Sequence, residues 1–175
     1  MINRQELDKI ILRNGGADWW QPENFAKNTL NLLPPELEVL AIPPSEDKNY
    51  NCFIHAFGLS QNPSFIFETQ GFVYDTFVKK LMEEKLLIET KSPEDGDYVL
   101  YKNIDYPRCL THIGLIAGSK IISKCAWGPL IKHDLWDVPK SYGDNIFYLK
   151  AISSEKFLTL YEKYKDYNII PPKEN

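Results

Sequence analysis

Three short stretches in a fixed order restrict this chain more than any other feature. They are Asn51-Cys52-Phe53-Ile54-His55-Ala56-Phe57-Gly58, Gly96-Asp97-Tyr98-Val99-Leu100-Tyr101 and Thr111-His112-Ile113-Gly114-Leu115-Ile116. A cysteine opens an apolar, helix-like segment. A Gly-Asp pair opens one β-like run, and a histidine opens the next. A cysteine nucleophile and its base are usually distant in sequence and adjacent in the fold. A helix N-terminus offers free amide dipoles to a thiolate, so a depressed thiol pKa is expected at Cys52. The pattern therefore names a reaction class before it names a substrate.

Around these stretches the chain changes texture. Residues 4–14 can form a short amphipathic helix stopped by Gly15-Gly16, and residues 17–50 carry Trp19-Trp20, Pro22, Pro34-Pro35 and Pro43-Pro44. Paired prolines oppose regular helix and strand ladders, so residues 1–49 read as an irregular N-terminal wrap. Helices are expected over 52–58 and 72–87, the second from the spacing of Val73, Phe77, Val78, Leu81 and Met82. From Gly96 onward β-branched and aromatic runs predict strands over 97–102, 112–117, 120–125 and 145–151, with a tight turn at Gly118-Ser119. Residues 126–143 read as a long connection containing proline and glycine. A closing helix is expected over 153–167, capped by Ser153 or Ser154, with Phe157, Leu160, Tyr161 and Tyr164 on one side. This is an α+β plan in a single domain of 175 residues, its core at 50–150 and a closing helix and tail at 151–175.

Cys52 is the candidate nucleophile, and its own backbone N–H is a candidate oxyanion donor. A free cysteine is also a common small core residue, which is the competing reading. Asn51 either donates its side-chain amide to the site or caps the helix. His112 is the candidate general base. His55, three residues beyond Cys52, is an alternative base or a packing residue beneath the nucleophile. Trp19, Trp20 and Trp127 can line a substrate groove, though tryptophans are more often core pieces with one wet edge. Asp97 reads as a turn residue bonding local backbone, and Cys125 as core. Cys52-x-x-His55 and Cys109-x-x-His112 together count to a Cys₂His₂ zinc set, which makes a small zinc-stabilised domain a rival. The apolar Phe53-Ile54 context opposes it, so neither a metal nor another cofactor is expected.

Composition bounds the partners. The net charge is −4 and the lysines are scattered, which argues against nucleic acid. No apolar run is long enough to span a membrane. Met-Ile-Asn-Arg-Gln-Glu-Leu-Asp lacks a basic start followed by an apolar run, so no secretory signal is expected and a cytoplasmic location is. Three cysteines do not make a disulfide framework, which suits a reducing compartment.

As a set, Asn51-Cys52, Gly96-Asp97-Tyr98-Val99 and His112-Ile113-Gly114-Leu115-Ile116 resemble the papain-like cysteine amidases and peptidases of the NlpC and CHAP type. The resemblance spans about residues 50–150. Trp127-Gly128-Pro129-Leu130-Ile131-Lys132-His133 and Val138-Pro139-Lys140-Ser141-Tyr142-Gly143 resemble an uncharacterised branch of such proteins. The family implies a nucleophile helix packed on an antiparallel sheet, and a thiol hydrolase acting on a peptide or other small amide, such as a peptidoglycan stem peptide. It also implies a third polar residue on the strand after the histidine. Ser123 occupies about that place here, and His133 is the alternative. A toxin or effector amidase exported without a signal peptide, and a catalytically inactive binding module on the same fold, are the other readings.

Overall fold

The computed structural model describes residues 2–12, 20–105 and 110–170. Its centre is a seven-stranded antiparallel sheet, with strand order β1-β6-β5-β4-β3-β7-β2. The strands are β1 (Glu38–Ala41), β2 (Glu89–Thr90), β3 (Tyr98–Lys102), β4 (Leu110–Ala117), β5 (Lys120–Lys124), β6 (Leu130–His133) and β7 (Asn145–Leu149). The helices are α1 (Arg4–Leu12), α2 (Pro22–Asn28), α3 (Cys52–Ala56), α4 (Pro63–Glu68), α5 (Asp75–Glu83) and α6 (Ser154–Tyr164). The architecture is α+β, as expected.

Alternation along the strands sorts the core into two faces. Tyr98, Leu100, Ile113 and Leu149 join Cys52, Phe53, Phe77, Leu81 and Phe157 in one cluster, so α3, α5 and α6 cover that face. Val99, Tyr101 and Ile121 join Val138 and Tyr142 on the other. A third cluster places Leu7 and Ile11 of α1 against Leu37, Cys125 and Ile131. Phe157 anchors the helical face, with its ring centroid 4.2 Å from Phe57 and 5.5 Å from Phe77.

Local chemistry sets the helix ends. The Asn51 side chain accepts from Ile54 N, and the Ser153 side chain from Lys156 N, so both helices begin at an N-cap. Asn62 caps α4 in the same way, with Pro63 at its first turn. Two glycines permit close approach. At Gly114 a Cβ would lie 2.4 Å from Ile121 Cγ2, so only glycine lets β4 and β5 meet there. At Gly71 the backbone has φ +76° and a Cβ would lie 2.4 Å from the Asn49 carbonyl oxygen.

Three expectations are corrected. Residues 17–50 are not an irregular wrap throughout: within the described part, Pro22 starts α2, where its missing N–H needs no partner, and Glu38–Ala41 forms the edge strand β1. The 126–143 connection contains β6, which pairs with both β5 and β1. A four-residue strand flanked by proline gives too little alternation to be read in advance. The 72–87 helix is shorter, Asp75–Glu83, and α4 precedes it. Gly15-Gly16, Trp19, Cys109 and the terminal prolines lie outside the described residues.

Because Phe157 packs against Phe57, Phe65, Phe77 and Tyr161, Phe157→Ala should cost about 3–5 kcal/mol of stability. Phe157→Leu should cost distinctly less, both read from urea unfolding.

Candidate functional site

Cys52 is the first residue of α3, and α3 packs on β4 and β5. The ladder between β4 and β5 covers only Leu115–Ala117 against Lys120–Ile122. Ahead of that ladder, the Cys52 thiol meets the backbone amide of Ile113, the residue next to His112. The amides of Phe53 and of Cys52 itself also address the sulfur. Amides from the helix start and from β4 thus act on one thiol.

Burial decides the state of that thiol. Cys52 is only 6% exposed. Desolvation pushes its pKa up to about 11, outweighing the amides and the Lys124 charge that pull it down. The expected depression of the Cys52 pKa is therefore reversed, because the helix start is buried rather than open to water.

His112 is fully buried and lies opposite Tyr101 across the β3–β4 pair. Its ring stacks on Tyr142 at 4.0 Å and 11°. Burial holds its pKa well below the ordinary histidine value, and the nearby His133 and His55 push the same way. Neither ring nitrogen has a hydrogen-bond partner among the described residues, and the same is true of His55. The Cys52 thiol thus addresses the backbone next to His112, with no hydrogen bond to the His112 ring. Burial also lowers His55, to about 4. Its ring lies parallel to Tyr50 at 6.4 Å.

Ser123 does not orient the His112 ring. Its hydroxyl bonds His133 Nε2 at 2.8 Å, both residues being buried. His133 Nδ1 donates to the Asp134 carbonyl at 2.7 Å, which leaves Nε2 to accept from the serine. The two alternatives for the third position are therefore partners of each other. His133 is a buried strand residue rather than part of a surface loop.

Asn51 is engaged by the fold. Its Oδ1 accepts from Ile54 N at 3.3 Å, and its Nδ2 donates to the Val73 carbonyl at 2.7 Å. The capping alternative describes it, not the oxyanion one. Asp97 also serves the fold: its carboxylate accepts from Glu94 N and Ala151 N and pairs with Lys150 at 2.9 Å. Burial opposes its charge, but these partners hold its pKa below the usual carboxylate value.

The residue that sequence inspection passes over is Lys124. It is 1% exposed. Its ammonium donates to Asn49 Oδ1 at 3.0 Å, the Ala126 carbonyl at 3.1 Å and the Gly128 carbonyl at 2.6 Å. Three acceptors match the three N–H donors of an ammonium. Burial lowers its pKa to about 7, against the pull of the Cys125 and Cys52 sulfurs. Its only sequence signal was a lysine ending an apolar run before Cys125.

Beside this buried centre lies a groove of about 680 Å³. Trp127 lines it, stacked on Phe72 at 5.3 Å and edge-on to Trp20 at 4.7 Å. The Trp127 carbonyl accepts from Asn49 Nδ2 at 2.9 Å, tying the groove to the Lys124 network. Trp127 and Trp20 are thus in contact, although Trp20 does not line the groove. Among the described residues no group of three or more histidines, cysteines or carboxylates is set to hold a metal ion. Cys109, needed for the zinc set, lies outside them. No described helix is long and apolar enough to cross a membrane. No family model, curated protein or solved structure matches this chain.

The buried His112 and His133 and the half-buried His55 set an acid limit on stability. His55 and His133 are lowered to about 4 and His112 lies well below 6.5. Each is neutral when folded and takes up a proton on unfolding below its ordinary pKa of about 6.5. Their stabilising contribution is full above that pH and is lost as pH falls from about 6.5 toward 4. Each histidine adds a slope of about 1.4 kcal/mol per pH unit. Urea unfolding midpoints should therefore drop steeply from pH 6.5 to 4.5, and His133→Asn should flatten the drop.

Proposed function

We propose that this chain is a cysteine-dependent amide hydrolase with a papain-like core, Cys52 being the nucleophile and His112 the base. One observation carries the reading: Cys52 stands at a capped helix start, facing the amide of Ile113 in the strand that bears His112. The substrate class is a small peptide or other amide, with peptidoglycan-type peptides as the leading case and a toxin or effector target as another.

In the reaction, His112 takes the Cys52 proton and the sulfur attacks the amide carbonyl. The tetrahedral oxyanion is held by backbone amides at the start of α3. Collapse breaks the C–N bond, and the His112 imidazolium gives its proton to the leaving amine. Water, deprotonated by His112, then attacks the Cys52 thioester; the C–S bond breaks, the acid leaves, and the His112 imidazolium returns its proton to the Cys52 sulfur. A neutral His112 is the form that accepts a proton, and burial keeps it neutral. The neutral, buried thiol means that substrate binding must first open the site and bring sulfur and imidazole together.

That same buried thiol, with its pKa raised to about 11, favours a second reading: a binding module on the same fold without catalysis. An activated ester separates the two. Under the hydrolase reading, p-nitrophenyl acetate should leave one acetyl group on Cys52, found by peptide mass spectrometry, and none in Cys52→Ala. His112→Ala should slow acetylation roughly 10²–10⁴-fold. Ser123→Ala should slow it about tenfold or less, because the serine bonds His133 instead. Unmodified Cys52 after prolonged exposure would leave the binding module as the surviving reading.

A further inference from the structure

The groove beside the buried centre has a chemical character of its own. Phe72 stacks with Trp127 at 5.3 Å and with Tyr74 at 5.8 Å, which makes a continuous aromatic wall. Phe67 stands at the same groove, 86% exposed, although folding rewards burial of such a ring. Glu46, Asp47 and Glu68 also line it, and no lysine or arginine among the described residues does. Glu68 has Lys165 at 3.7 Å, a long and exposed pair. Aromatic faces flanked by carboxylates attract an organic cation through ring quadrupoles and direct charge.

The groove is joined to the centre by hydrogen bonds through its wall. Asn49 and Gly71 line it. Asn49 is hydrogen-bonded to Lys124 Nζ, and the Gly71 carbonyl accepts from Asn51 N, one residue before Cys52. The volume of about 680 Å³ lies within the range of small-ligand sites.

We propose that this groove is a substrate subsite for a lysine-like alkylammonium side chain, with its methylenes on Phe72, Tyr74 and Trp127 and its charge toward Glu46 and Asp47. This rests on the reading of Cys52 as the nucleophile and adds a substrate class to it. The subsite selects cationic over neutral or acidic side chains of similar length.

The test is binding rather than turnover. Nα-acetyl-lysine N-methylamide is titrated into the full chain and into Cys52→Ala, with the norleucine counterpart as a neutral control. The Trp127 indole signal is followed by NMR. The lysine probe should bind saturably to both proteins, about threefold or more tighter than the norleucine probe. Glu46→Gln with Asp47→Asn, both exposed positions, should weaken the lysine probe about three- to tenfold and leave the norleucine probe unchanged. Equal binding of the two probes, no saturable binding, or signal changes confined to residues outside the groove would overturn the subsite. Since Cys52→Ala carries the measurement without a nucleophile, failure here is distinct from failure of Cys52 to take an acetyl group.

Discussion

The start of α3 depends on one buried amide. Asn51 accepts from Ile54 N with its Oδ1 and donates to the Val73 carbonyl with its Nδ2, while its backbone N–H donates to the Gly71 carbonyl. These contacts cap the helix and fasten it to the 71–73 segment. Gly71 must be glycine for this approach, because a side chain there would meet the Asn49 carbonyl. A five-residue helix has little stability of its own, so its position follows from these ties and from the packing of Phe53 and Ile54. Cys52 is held where it is because its neighbour is held.

A polar centre has been enclosed around that cysteine. His112, Lys124, Ser123 and His133 are all buried, and Cys52 nearly so. Two of the groups are satisfied locally: Lys124 by three acceptors, and His133 by Ser123 and the Asp134 carbonyl. His55 and His112 retain nitrogens without a partner among the described residues. Buried polar groups are ordinarily paired, and unpaired ones concentrate where a protein binds or reacts. Desolvation then sets the protonation of the whole cluster. It favours neutral thiol and neutral imidazole over a charged pair. Asn49 joins this centre to the aromatic groove through Lys124 on one side and the Trp127 carbonyl on the other.

What the sequence determined by itself is what rests on local pattern. The β-branched and aromatic runs at 97–102 and 112–117, the turn at Gly118, and the helical spacing through Phe77, Val78 and Leu81 are properties of short windows, and each was legible there; the Asn51 cap and the Ser153 cap were each one of two readings that the sequence left open. Tertiary structure alone decided the rest. The strand Leu130–His133 exists because it pairs on both sides, with β5 and β1, a fact its four residues do not carry. Ser123 meets His133 because register places the strand of one beside the strand of the other. Lys124 is an ordinary lysine in sequence, and only enclosure by Asn49, Ala126 and Gly128 makes it a buried cation. The same holds for the state of Cys52: its place at a helix start was readable, but whether that start faces water or a closed core depends on long-range packing, and burial outweighs the helix amides in setting the thiol.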